Sequence, residues 1–213
     1  MNVGRRMSHP VITVELNTPI TRVHELMTHE KIQQTPVVKN GKLVGIVSEK
    51  DILKAYPSPV TSLSVWEITS LLGKISAKDI MVAKVVTVNE DTPIEDAARM
   101  MVDNQVSSLP VMRGKEMVGI ITKSDLFRIM FEMLGARHPG VRFSVLVTNQ
   151  PGQIARLTQA IFEKGGTIRA LSTFEGDSSA NGLITVKVDG VAQAELTRVI
   201  EPLVLQILDI CTD

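Results

Sequence analysis

The chain has 213 residues, 44% of them apolar but only 3% aromatic, enough for one large or two modest domains built on aliphatic cores. Its 23 basic and 23 acidic residues cancel, which argues against a sequence-independent grip on nucleic acid. The sole cysteine, Cys211, rules out an internal disulfide, and no run of 18 apolar residues is present, so a cytoplasmic chain with no membrane span is expected.

No apolar stretch follows Arg5-Arg6, so no signal peptide is expected. From Met7 to Asp51 the chain repeats itself 74 residues later, from Met81 to Asp125, with about 14 identities in 45 pairs. Each copy reads as strand, helix, strand, strand, helix. The first strand is expected at 11–14 and again at 85–88. Thr18-Pro19 and Thr92-Pro93 read as helix starts, with proline at the first helical position, and Glu95 adds a capping box to the second. Ile20, Val23 and Met27 then recur at helical spacing, as do Ile94, Ala97 and Met101. Two apolar runs flank Asn40-Gly41, a hairpin signal because both residues accept positive φ. Short helices are expected near 49–53 and 123–130. Two copies of one unit should pack about a pseudo-two-fold axis.

Between the copies a Pro-rich loop precedes a connecting helix expected at 64–74, in which Trp66 reads as core. A Gly- and Pro-containing boundary follows at 135–140. The remaining segment holds no third copy. Strands are expected at 143–147, 168–174, 183–188 and 203–210, with helices opening at Pro151-Gly152 and spanning 192–200. The order is βαββαβ, a ferredoxin-like arrangement with one sheet face bare, which favours pairing with a second copy. The expected layout is 1–54, linker 55–79, 80–136, linker 137–140 and 141–213, an α+β chain.

The sharpest local signal is Gly45-Ile46-Val47-Ser48-Glu49-Lys50-Asp51 and its twin Gly119-Ile120-Ile121-Thr122-Lys123-Ser124-Asp125. One reading is a nucleotide site: the hydroxyl sits at a helix start where free amides attract phosphate, the Asp accepts from ribose hydroxyls, and the glycine permits close approach. The other is a duplicated helix cap that needs no ligand, and the pattern alone favours it. The use of Asp rather than the longer Glu or Gln leans back toward a site. Scattered histidines give no metal-ligand spacing, and no catalytic constellation is evident, so neither a metal nor an enzyme is expected.

Residues 7–127 resemble a tandem pair of cystathionine-β-synthase (CBS) domains, a Bateman module. The resemblance implies a cleft for AMP, ADP, ATP or S-adenosylmethionine. It places the ribose carboxylate on Asp51 and Asp125, the phosphate-side hydroxyl on Ser48 and Thr122, and further contacts on Thr13, Thr87, Gln34 and Ser108. Family sites often carry a basic residue at the last of these positions; this chain does not, which argues against strong polyphosphate binding. Lys50 and Lys123 are substitutes, though surface lysines beside a helix start are more often simply solvated.

The C-terminal segment resembles an ACT domain through Asn149-Gln150-Pro151-Gly152-Gln153-Ile154 and Gly165-Gly166-Thr167-Ile168. That implies an amino acid held near Asn149, Gly152, Gln153 and Ile154. Asn149 replaces the usual Asp and so lacks its charge. The whole order is similar to bacterial acetoin-utilization accessory proteins. The resemblances together imply a non-catalytic sensor, homodimeric through the CBS pair, the ACT module or both, acting on a target protein the sequence does not name. The alternative is a ligand-free dimerisation scaffold for an enzyme or transcription factor.

Overall fold

The computed structural model describes residues 1–56 and 72–212. The expected connecting helix, Trp66 included, lies outside the described residues apart from 72–74. The chain divides into two compact units, Met1–Leu126 and Phe127–Asp213.

In the first unit each repeat builds a three-stranded sheet. The first contains β1 (Val14–Glu15), β2 (Gln34–Lys39) and β3 (Lys42–Ser48), with helices α1 (Ile20–Glu30) and α2 (Glu49–Ala55). A short helix α3 (Ala77–Ile80) leads into the second repeat. There β4 (Val88–Asn89), β5 (Ser108–Arg113) and β6 (Glu116–Thr122) form the sheet, with α4 (Ile94–Asp103) and α5 (Lys123–Met133). In both sheets the first strand pairs parallel to the second, and the second antiparallel to the third. The first strands begin three residues later than the apolar runs suggest and hold only two residues each, because they pair only where Val14 and Val88 meet Val37 and Val111.

The helix starts also differ from expectation. Pro19 and Pro93 keep extended ψ values of 141° and 144° and sit just before the helices. No Thr92–Glu95 capping box forms, since the capping position belongs to Pro93. The first helical amides instead donate to distant backbone: Ile20 to the Ile75 carbonyl and Ile94 to the Met1 carbonyl, each at 3.0 Å. Those carbonyls belong to twin lead-in segments, residues 1–8 and 75–82. Residues 1–8 dock on the second repeat, where Val3 donates to Thr92, and Ser8 pairs with Ile120. Residues 75–82 dock on the first, where Ala77 donates to Thr18, and Val82 pairs with Ile46. Each repeat is thus completed by the lead-in of the other.

Gly45 and Gly119 make this exchange possible. A Cβ on Gly45 would lie 2.4 Å from Met81 Sδ, and one on Gly119 would lie 2.2 Å from Met7 Sδ. The close approach foreseen for these glycines is therefore to a methionine of the opposite lead-in. Two aliphatic cores result, one around Val23, Met27, Val37, Val47 and Ile52, the other around Ala97, Met101, Leu109, Val111 and Ile121.

The second unit contains the C-terminal part of α5, then β7 (Val141–Thr148), α6 (Gln153–Glu163), β8 (Thr167–Glu175), β9 (Asn181–Asp189), α7 (Gln193–Ile200) and β10 (Gln206–Thr212). The βαββαβ order is as expected. The last strand starts three residues late because Glu201–Leu203 forms a 3-10 turn around Pro202. The sheet is antiparallel in the order β10-β7-β9-β8. Strict alternation along β7 buries Phe143, Val145 and Val147 against Leu157 and Ile161 of α6 and Leu196 and Ile200 of α7.

Candidate functional site

Each Gly…Ser/Thr-x-x-Asp signal falls where the third strand of a repeat runs into a helix. Ser48 N–H donates to Asp51 Oδ2 at 3.0 Å, and Ser48 Oγ–H donates to the same oxygen at 2.5 Å. Asp51 N–H returns a bond to Ser48 Oγ at 3.3 Å. Thr122 and Asp125 repeat the pattern at 2.9, 2.7 and 3.2 Å. Both are complete capping boxes. The Asp side chain is long enough to close them, so the preference of reciprocal caps for Glu or Gln does not mark these positions as a site. In each box both bonds to the carboxylate end on Oδ2, and the third ends on the hydroxyl oxygen. Asp51 Oδ1 keeps its acceptor capacity, so cap and ligand site are compatible at that residue.

The start of α2 differs from the sequence expectation in one chemical respect. Two of its first amides are not open to a phosphate, because Glu49 N–H donates to the Gln33 carbonyl at 2.9 Å, and Asp51 N–H is taken by Ser48. Lys123 N–H is likewise bound to the Ser107 carbonyl at 2.9 Å. The Ser48 hydroxyl proton is already committed to Asp51.

A cleft of about 460 Å³ lies beside Asp51, a volume typical of small-molecule sites. Gln34, Ser48, Asp51 and Ser108 line it. Gln34 and Ser108, assigned by the sequence to separate twin sites, meet each other: Ser108 Oγ–H donates to Gln34 Oε1, and Gln34 Nε2–H donates to Ser107 Oγ at 2.6 Å. Thr122 and Asp125 are outside this cleft, and Asp125 is only 6% exposed. Thr87 lines a separate cavity of about 380 Å³ with Lys42 and Lys115, and Thr13 lines neither cavity. Lys84 is the wall residue that sequence reasoning passed over; Lys50 and Lys123 stand on the same cleft. The available signal was the divergence of Ala83-Lys84 from His9-Pro10 within otherwise matching copies.

In the second unit, Asn149, Gly152, Gln153 and Ile154 all line one open cavity of about 1070 Å³, between the turn opening α6 and the loop joining β8 to β9. Asn149 Nδ2–H donates to the Ser179 carbonyl at 3.2 Å, which leaves its side-chain oxygen as an acceptor. Gln153 Nε2–H donates to Thr148 Oγ1 at 2.7 Å. Glu175 stands on the same wall. Among the described residues no cluster of three His, Cys, Asp or Glu side chains could hold a metal, and no helix is long and apolar enough to cross a membrane.

The CBS domain pattern matches residues 3–58 and 77–132. The chain belongs to the CBS-domain family. Both matches start within the exchanged lead-ins, so the CBS pair comprises the first unit together with the start of the helix α5 that continues into the second. The uncharacterized protein MJ1426 of Methanocaldococcus jannaschii is 34% identical over 148 residues, 58% of this chain and 88% of that protein. Other curated relatives share the CBS pair over as little as 13% of their own length. Among solved structures, the CBS pair of protein MJ0100, in complex with 5'-methylthioadenosine and S-adenosyl-L-methionine, is 28% identical with a TM-score of 0.52, covering 65% of this chain and 98% of that one. The protein CBSX2 in complex with AMP is 28% identical with a TM-score of 0.52, covering 62% and 97%. A putative acetoin utilization protein from Vibrio cholerae is 28% identical with a TM-score of 0.54, covering 64% and 95%.

Proposed function

We propose that the CBS pair binds an adenosine-type ligand in the cleft beside Asp51 and that the protein is a non-catalytic cytoplasmic sensor. The observation that carries this reading is the division of labour at Asp51: Oδ2 closes the helix cap, and Oδ1 is left for the ribose hydroxyls. Gln34 and Ser108 tie the repeats together at the seam, and Ser48 orients the carboxylate. MJ0100 and CBSX2 bind adenosine compounds, which supports the same chemistry here. The cleft is walled by Ser48 and Asp51 of the first repeat and by Val82, Lys84, Val85 and Val86 of the second, so a bound ligand favours one arrangement of the repeats through differential affinity. Residues 141–213 are proposed as an ACT-type module in which the turn at Asn149 and Gly152 takes an amino acid, and the chain as a homodimer that signals to a protein target.

Isothermal titration of the full chain with AMP, ADP, ATP and S-adenosylmethionine tests the reading. Heat from at least one of them is expected; silence from all four sinks it. A second reading, a ligand-free scaffold, is favoured by the completeness of both caps without any ligand. It predicts a melting temperature indifferent to every nucleotide.

A further inference from the structure

We infer that the Asp51 cleft is selective for an adenosine bearing a phosphate over one bearing a positive sulfonium group, that Lys84 is its phosphate-recognising residue, and that the chain has one such site. This rests on the adenosine reading of the cleft.

The anion needs a partner, and the backbone provides little: the Glu49 and Asp51 amides at the start of α2 are bound to Gln33 and Ser48, and the Ser48 hydroxyl donates to Asp51. What the cleft does offer is three ammonium groups, Lys84, Lys50 and Lys123, against the two carboxylates of Glu49 and Asp51. None of the three lysines forms an ion pair with a described residue. With Asp51 engaged by the ribose, the remaining wall is positive, and a sulfonium placed there meets like charge. Lys84 comes from the lead-in that crosses from the opposite repeat, so a phosphate on it and a ribose on Asp51 would span the two repeats.

The pseudo-symmetry supplies the contrast. At 74 residues' remove, Lys84 is replaced by Pro10 and Lys50 by Ser124. Lys123 and Glu49 exchange places with each other and leave the local balance unchanged. The Asp125 side therefore lacks Lys84 and Lys50 and carries Lys31 where the Asp51 side has Gln105, a net loss of one cation, and Asp125 itself is buried.

Titration calorimetry on the full chain at low salt, with adenosine, AMP and S-adenosylmethionine, tests this. AMP is expected to bind about tenfold more tightly than adenosine, a gain limited because exposed charge pairs are screened by solvent and salt. One AMP per chain is expected, with S-adenosylmethionine no tighter than adenosine. Lys84→Met should collapse the AMP-to-adenosine ratio toward one, and Lys84→Glu should invert it. An unchanged ratio in Lys84→Met, S-adenosylmethionine at least as tight as AMP, or two equal AMP sites would each overturn the inference while leaving the adenosine reading intact. No binding of any adenosine compound would overturn both.

Discussion

The first and second repeats share a fold but not a chemistry. Ser48–Asp51 and Thr122–Asp125 make the same three hydrogen bonds, two to Asp Oδ2 and one from the Asp amide to the hydroxyl. Asp51 is half-buried beside a cleft with Lys50 and Lys84, whereas Asp125 is buried, with Ser124 and Pro10 at the matching positions. A third instance sharpens the contrast. Ser76 and Asp79 form a capping box at the start of α3 with bonds of 2.8 and 2.6 Å, yet neither lines the cleft. Ser-x-x-Asp is therefore a cap wherever it occurs in this protein. On the proposed reading it gains a ligand role only at Asp51, where the surrounding walls offer space and charge.

The exchange of lead-ins gives the largest expected effects. Gly45→Ala and Gly119→Ala each force a methyl group into a packed methionine, at a cost of about 1–3 kcal/mol for overpacking. Chemical denaturation of the full chain measures it. Trimming the obstructing side chain should recover part of the loss, so Gly45→Ala/Met81→Ala should be less unstable than the two single changes added together. Strict additivity would mean that Met81 does not fill the space above Gly45.

The two aspartates should then separate by readout. Asp51→Ala is expected to weaken adenosine-ligand binding at least tenfold, since hydrogen bonds to a charged group are worth about 1.5–3 kcal/mol. Asp125→Ala should leave ligand affinity nearly unchanged but destabilise the fold by about 1–2 kcal/mol, through loss of a cap with buried partners. Equal effects of both changes on binding would dissolve the distinction between the repeats.

Much of this was legible in the chain. The 74-residue repeat located both sheets, the Asn40-Gly41 turn and the two capped helices, because strand and cap chemistry live in side chains that duplication preserves. The lead-in exchange was not legible. Residues 1–6 and 75–80 share no identity, since they dock mainly through backbone bonds such as Val3 to Thr92 and Ala77 to Thr18. The helix starts fall one residue later than expected because Thr-Pro suits either of two adjacent positions, and only the distant carbonyls of Met1 and Ile75 decide between them. The pairing of Gln34 with Ser108 was hidden for a related reason. Residues related by the pseudo-two-fold axis look like separate twins in sequence, and only packing shows that they touch.

The smallest expected difference between the repeats is electrostatic. Arg113 donates to both carboxylate oxygens of Glu90, at 2.5 and 2.6 Å, and holds the Glu90 carboxyl below its ordinary value of 4.5. The first repeat has Leu16 and Lys39 at the matching positions and no such pair. Because the folded value is depressed, the contribution is fully present above the unfolded value and fades as pH falls through the folded one. The pair is solvent-exposed, so the effect is slight. Stability measured from neutral pH down to about pH 3 should fall with a shallower slope below about pH 4.5 in Arg113→Leu than in the natural chain. Identical slopes would show that the ion pair contributes nothing measurable, and that the second repeat differs from the first only at its cleft.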